Sequence, residues 1–97
     1  MNDNELYRQK HQAHLDEWKA HIAKLKAKAL EAKADAQIVL NKEVVTLDRR
    51  LENYQAKLSE LAEATEEGWD SVKKGVESAW DSMKSAFADA ASKFKNL

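Results

Sequence analysis

Two adjacent copies of an 11-residue unit constrain this chain more than any other feature. Trp69-Asp70-Ser71-Val72-Lys73-Lys74-Gly75-Val76-Glu77-Ser78-Ala79 runs directly into Trp80-Asp81-Ser82-Met83-Lys84-Ser85-Ala86-Phe87-Ala88-Asp89-Ala90. Five positions are identical: Trp, Asp, Ser, the first Lys and the closing Ala. Val72/Met83, Gly75/Ala86 and Val76/Phe87 keep their character, and a third copy beginning at Ala91 retains only Phe94 and Lys95 in register. Eleven residues close nearly three turns of α-helix, so Trp69 and Trp80 stand over almost the same stripe. The unit therefore specifies a helix with an aromatic seam, and such a seam must be covered by something.

The rest of the chain has the composition to supply helices and little else. Proline is absent, and Gly68 and Gly75 are the only glycines, so the usual loop punctuation is missing. An apolar share of 43% beside a charged share of 34%, dominated by Ala, Leu, Lys and Glu, suits long amphipathic helices in mutual contact. Ninety-seven residues allow one domain or one elongated helical unit. Without cysteine there is neither a disulfide framework nor a thiolate site. The opening Met1-Asn2-Asp3-Asn4-Glu5 precedes no apolar run. The expectation is therefore no signal peptide, no transmembrane span and a disordered segment 1–4. The cytoplasm is the default location, with peripheral contact to a membrane as its variant.

Apolar residues step along the first two thirds of the chain in heptads. Leu15, Trp18, Ile22, Leu25, Ala29, Ala32, Ala36 and Val39 alternate steps of three and four, with His11 on the same stripe. Near residue 40 the register shifts. Leu40 and Val44 follow Ala36 at steps of four, and Leu47, Leu51, Tyr54, Leu58, Leu61 and Thr65 then resume the heptad. Two architectures account for the shift. One is a single coiled-coil helix over 5–64, about 90 Å long. The other is a helical hairpin turning around Asn41. The continuous helix is favoured, because Val44-Val45 is poor turn sequence and neither Gly nor Pro assists. A helix of that length cannot bury its own stripe, so continuity implies self-association, from dimer to tetramer.

A second boundary falls at Ala64-Thr65-Glu66-Glu67-Gly68. Thr65 can cap a new helix whose positive first turn holds Glu66 and Glu67. The following helix, expected over 66–95, carries its apolar face on Trp69, Val72, Val76, Trp80, Met83, Phe87, Ala91 and Phe94. It either continues the long helix or folds back over the Leu51–Leu61 stretch. Gly75 reads as a tolerated small residue, since Ala86 replaces it one period later. The expected fold class is thus all-α: a long coiled-coil helix or hairpin, then an amphipathic C-terminal helix.

Reactive chemistry is thin. His14, Glu17 and His21 form the one cluster with metal-ligand character, yet a single helix presents at most two ligands at i,i+4. No HExxH motif or di-iron ExxH pair exists. They are read as solvated or seam-flanking histidines, with a metal-binding bundle at an oligomer interface as the alternative and no cofactor or catalytic residue expected. The serines Ser59, Ser71, Ser78, Ser82, Ser85 and Ser92 have no histidine in their region to activate them. A formal charge of −1 removes the electrostatic case for nucleic acid, and no small-molecule substrate is implied. Charge is nonetheless uneven: residues 41–70 carry four Lys/Arg against eight Asp/Glu, whereas 71–97 carry five against three.

Eleven-residue amphipathic periods with bulky aromatics also resemble lipid-surface helices of the apolipoprotein kind, with Trp69, Trp80, Phe87 and Phe94 suited to a headgroup boundary. Mixed charge on the polar face, and Glu66, Glu67 and Asp70 at its start, favour protein packing instead. Three segments carry a further likeness: the Ala/Lys run from Leu25 to Ala36, the Tyr54–Leu61 stretch and the twin-Trp block from Gly68 to Lys84. Together they resemble a group of small bacterial coiled-coil domain-containing proteins over residues 20–94. The resemblance implies a helical fold, hints at a stress-associated role and transfers no activity to any residue. The functional expectation is a non-enzymatic, self-associating helical protein with a structural, scaffolding or stress-protective role.

Overall fold

In the computed structural model, which describes residues 3–96, three helices of nearly equal length lie side by side. α1 spans Asp3–Glu31, α2 Ala34–Glu63 and α3 Glu66–Asn96, joined by two-residue connections. The Cα envelope measures 51 × 21 × 17 Å, an elongated bundle. α2 is central and antiparallel to both neighbours, so α1 and α3 run in the same direction.

The single helix expected over 5–64 is two helices. The reversal falls at Ala32 and Lys33, eight residues before Asn41, and the chain is helical through residue 41. Lys33 adopts extended backbone (φ −65°, ψ 156°) and caps α2 with no side-chain hydrogen bond. What selects the site is packing. A reversal there brings His11 opposite Tyr54, and it lets Leu15, Ile22 and Leu25 meet Val44, Leu47 and Leu51, with Ala29 and Leu40 buried as well. The register shift near residue 40 is thus the change from one helix's stripe to the next one's. Val39, assigned to the stripe by extending the α1 heptad across this break, is 40% exposed. The inference from continuity to self-association lapses with the continuous helix, because the two stripes bury each other within one chain. Asp3 and Asn4 already belong to α1, while Met1 and Asn2 lie outside the described residues.

At the second reversal Ala64 is extended and its N–H reaches the Leu61 carbonyl. Thr65 then caps α3: the Gly68 N–H donates to the Thr65 hydroxyl at 3.3 Å, with Glu66 and Glu67 in the first turn. No residue here takes a positive φ, glycines included. The helix folds back, and it lies along the length of α2.

The core is one continuous cluster through all three helices, with Leu15, Ile22, Leu47, Tyr54, Leu61, Val76 and Met83 almost fully enclosed. Leu58 also lies in it, and Leu40 is buried as well. Val72 and Phe94 are half-buried against the cluster. Ala79, Ala86 and Ala90 are buried too, and these small side chains let α3 approach α2 closely. Gly75 belongs to this side: a Cβ there would meet the Lys57 side chain at 3.5 Å. Polar ties flank the packing, with Lys26 on Asp48 at 3.2 Å, Lys93 on Glu43 and Arg50 donating to the Ser82 hydroxyl. No described helix is long and apolar enough to cross a membrane.

Candidate functional site

The densest chemistry in the bundle lies between α1 and α3. No Cα of α1 comes within 8 Å of a Cα of α3 among the described residues, so large side chains must fill the gap. On α1, Tyr7, His11, His14, Trp18 and His21 follow the same alternation of four and three. On α3, Trp69, Trp80 and Phe87 answer them. Tyr7 meets Trp69 edge-on at 5.5 Å between centroids, and His14 lies over Trp80 at 4.3 Å. Trp18 touches both Trp80 and Phe87, at 5.5 and 4.7 Å, and His21 reaches Phe87 at 5.5 Å. The aromatic seam announced by the repeat is therefore covered by α1 of the same chain.

The repeat also sets a cation over each indole. Lys73 lies 5.4 Å from the Trp69 ring and 5.0 Å from that of Tyr7, while Lys84 lies 5.8 Å from Trp80. Both lysines follow their tryptophan by four residues, one helical turn, within the range where a ring face attracts a cation. The identical Lys of the two copies was a visible signal for this pairing.

His11 is the buried polar centre of the seam, 5% exposed. Its Nδ1 shares a hydrogen bond with the Tyr54 hydroxyl. In the Nε2–H tautomer the phenol donates to Nδ1. In the other tautomer the ring donates, and the hydroxyl can turn to the His11 carbonyl at 3.5 Å. Burial holds the imidazole below its ordinary range, and the neighbouring His14 and Lys10 push the same way, opposed by Glu77. Burial raises the Tyr54 phenol, reinforced by Tyr7. Tyr7 itself is pushed up to about 12 by burial, by the charge of Glu77 and by the hydrogen bond it donates to that carboxylate at 3.3 Å. At neutral pH the three rings are uncharged and suited to packing. The Trp18 indole N–H is enclosed and has no acceptor among the described residues.

The metal candidates separate into packing roles. His14 covers Trp80, His21 flanks Trp18 and Phe87, and Glu17 is exposed. Among the described residues no three His, Cys, Asp or Glu side chains converge as a metal set would require. A shallow polar groove of about 360 Å³ between α1 and α2 is lined by Glu5, Arg8, Gln9, Gln12, Gln55, Leu58, Ser59 and Ala62. It holds one guanidinium and several amides, and no nucleophile–base pair lines it.

A family model described as TMP repeat matches residues 69–79 and 80–90, the same two 11-residue units. No curated protein and no solved structure matches the chain. The comparisons thus reach the twin-Trp block of α3, and it is the geometry of the bundle that gives this block its partners on α1.

Proposed function

We propose that the protein is a non-enzymatic helical building block with a structural, scaffolding or protective role. The observation that carries this reading is how the chemistry-bearing side chains are used. Tyr7, His11, His14, Tyr54 and the three tryptophans are turned onto one another inside the bundle. Rings in close packing with one another stabilise a fold rather than present their chemistry to a substrate. The likeness to small bacterial coiled-coil domain-containing proteins supports the same reading. Self-association in the range of dimer to tetramer, in the cytoplasm, is part of the proposal as the means by which such a block would scaffold.

Peripheral lipid binding through α3 is the second reading, supported by the half-buried Trp69, Trp80 and Phe87. These rings face α1, so entering a bilayer requires the bundle to open first. Thermal melting by circular dichroism, with tryptophan emission, in the presence and absence of phosphatidylglycerol vesicles separates the readings. The building-block reading expects cooperative melting and blue-shifted emission that vesicles leave unchanged. Vesicle-induced changes that vanish in Trp69→Ala/Trp80→Ala would overturn it in favour of lipid binding.

A further inference from the structure

The two ends of the bundle differ in charge and in apolar exposure. Where α1 starts, α2 ends and α3 starts, Asp3, Glu63, Glu66, Glu67 and Asp70 share one end of the bundle and outnumber Arg8 and Lys10, with Leu6 half exposed there. At the opposite end, where α1 turns into α2 and α3 finishes, Lys28, Lys33 and Lys95 outnumber Glu31 and Asp35, and Lys93 is paired with Glu43. Apolar side chains stand in water toward that end, with Leu30 75% exposed, Ile38 59% and Val39 40%, and Val45 continues them along α2 at 55%. At that end opens a cleft of about 460 Å³ lined by Ala32, Ala36, Leu40 and Phe94, with Lys28, Lys33 and Glu31 beside them. The alanines explain the cleft, since small side chains on converging helices leave space. Helix-terminus preferences account for many of these charges, and the complementary signs of the two ends remain.

We propose that the basic, apolar end is a docking surface for a second copy of this chain, which presents its acidic end head to tail. Leu6 of one copy then supplies the apolar partner for the cleft, and the acidic groups around it meet the lysines. The proposal deepens the building-block reading and rests on it. Because the two surfaces are different, the contact is heterologous and does not close on itself, so copies add in line. The bundle's 21 × 17 Å cross-section between Cα atoms keeps each contact at or below the roughly 800 Å² per partner of a standard interface. Association is therefore weak, concentration-dependent and weakened by salt.

Sedimentation velocity of the full chain across a concentration series, at about 20 mM and about 500 mM salt, tests this by moving the Debye length across the contact distance. The expected result is a mean mass that climbs past the dimer with concentration and falls at high salt. Glu66→Lys/Glu67→Lys alone and Lys28→Glu/Lys33→Glu alone should each stay monomeric, with circular dichroism reporting intact helices. Mixing the two variants should restore association, because each retains the surface that the other lacks. A monomer at every concentration overturns the proposal and the association it deepens. Cooperative melting of that monomer would still uphold the packed-bundle reading. A dimer that saturates and ignores both charge reversals overturns the head-to-tail contact in favour of a closed lateral one. A wild-type monomer that binds phosphatidylglycerol vesicles, and loses them in Lys28→Glu/Lys33→Glu, overturns the choice of occupant in favour of lipid.

Discussion

Removing one oxygen atom from the bundle's interior should be costly. Tyr54 is fully enclosed and His11 nearly so, and the hydroxyl of one is the side-chain partner of Nδ1 on the other. In Tyr54→Phe the ring still fills its space, but the His11 nitrogen is left buried with nothing to bond. An unsatisfied buried polar group costs about 1–3 kcal/mol, far more than the net gain of an average hydrogen bond. For a domain of this size about 1 kcal/mol moves Tm by roughly 4–8 °C, so the expected drop is about 4–24 °C. Replacing both partners, in His11→Leu/Tyr54→Phe, removes the orphan as well. The double variant should therefore cost less than the sum of the single ones, by about 0.5–3 kcal/mol of coupling. Urea and thermal unfolding at pH 7.5, followed by circular dichroism, measure all three variants. A Tyr54→Phe protein that melts with the wild type, or a cycle whose single costs simply add, would refute the claim that this pair anchors the seam.

Four further outcomes follow from the same geometry. His11 has its folded pKa below the unfolded value of 6.5, so the unfolded chain takes up the proton first. Its stability contribution is complete above about pH 6.5 and is lost as pH falls from there through the folded pKa, and unfolding midpoints of His11→Leu should show less of this acid slope. Glu77→Gln removes the charge that helps to raise the Tyr7 phenol, so ultraviolet titration should find that group ionising below its present value of about 12. Gly75→Ala replaces a mid-helix glycine where the new Cβ makes ordinary contact with Lys57, and should stabilise by about 1 kcal/mol, read as a higher urea midpoint. Ala90→Leu forces bulk into the close α2–α3 contact and should destabilise by about 1–3 kcal/mol, whereas Ala91→Leu, one residue on and exposed, should leave the midpoint nearly unchanged.

The helical class was legible because nothing in the chain opposes it. α3 was legible in detail, since Thr65, Glu66 and Glu67 form a helix start that local chemistry alone can recognise. The first reversal was not. Leu30, Glu31, Ala32, Lys33 and Ala34 are all good helix formers, and Lys33 caps α2 without using its side chain. The break there comes from three helices of 29, 30 and 31 residues closing on one another, which no local window contains. The same limit applies to the seam. Leu15, Ile22, Leu47 and Leu58 announce burial by their spacing, but the pairing of His11 with Tyr54 spans 43 positions and that of Tyr7 with Glu77 spans 70. Histidines at 11, 14 and 21 read as flanking polar residues until aromatic rings are placed across from them.

The repeat itself explains why α3 serves two neighbours at once. The last residue of one unit and the first of the next, Ala79 and Trp80, are adjacent in sequence and therefore about 100° apart around the helix. The alanine is buried on the face it shares with Gly75, four residues earlier, which lies against Lys57 of the near helix, α2. The tryptophan faces the distant helix, α1, where a large one is needed to span the gap. An 11-residue period restores both directions after three turns, so a second unit adds another alanine at 90 and keeps the aromatic line. The fading of the third copy has a partner on α1. Past His21 that helix continues as Leu25 and Ala29, with no further ring to receive an indole. At the position of a third tryptophan stands Ala91, exposed. The number of complete units thus matches the length over which α1 carries aromatic and histidine side chains, and beyond it small side chains leave the cleft beside Phe94.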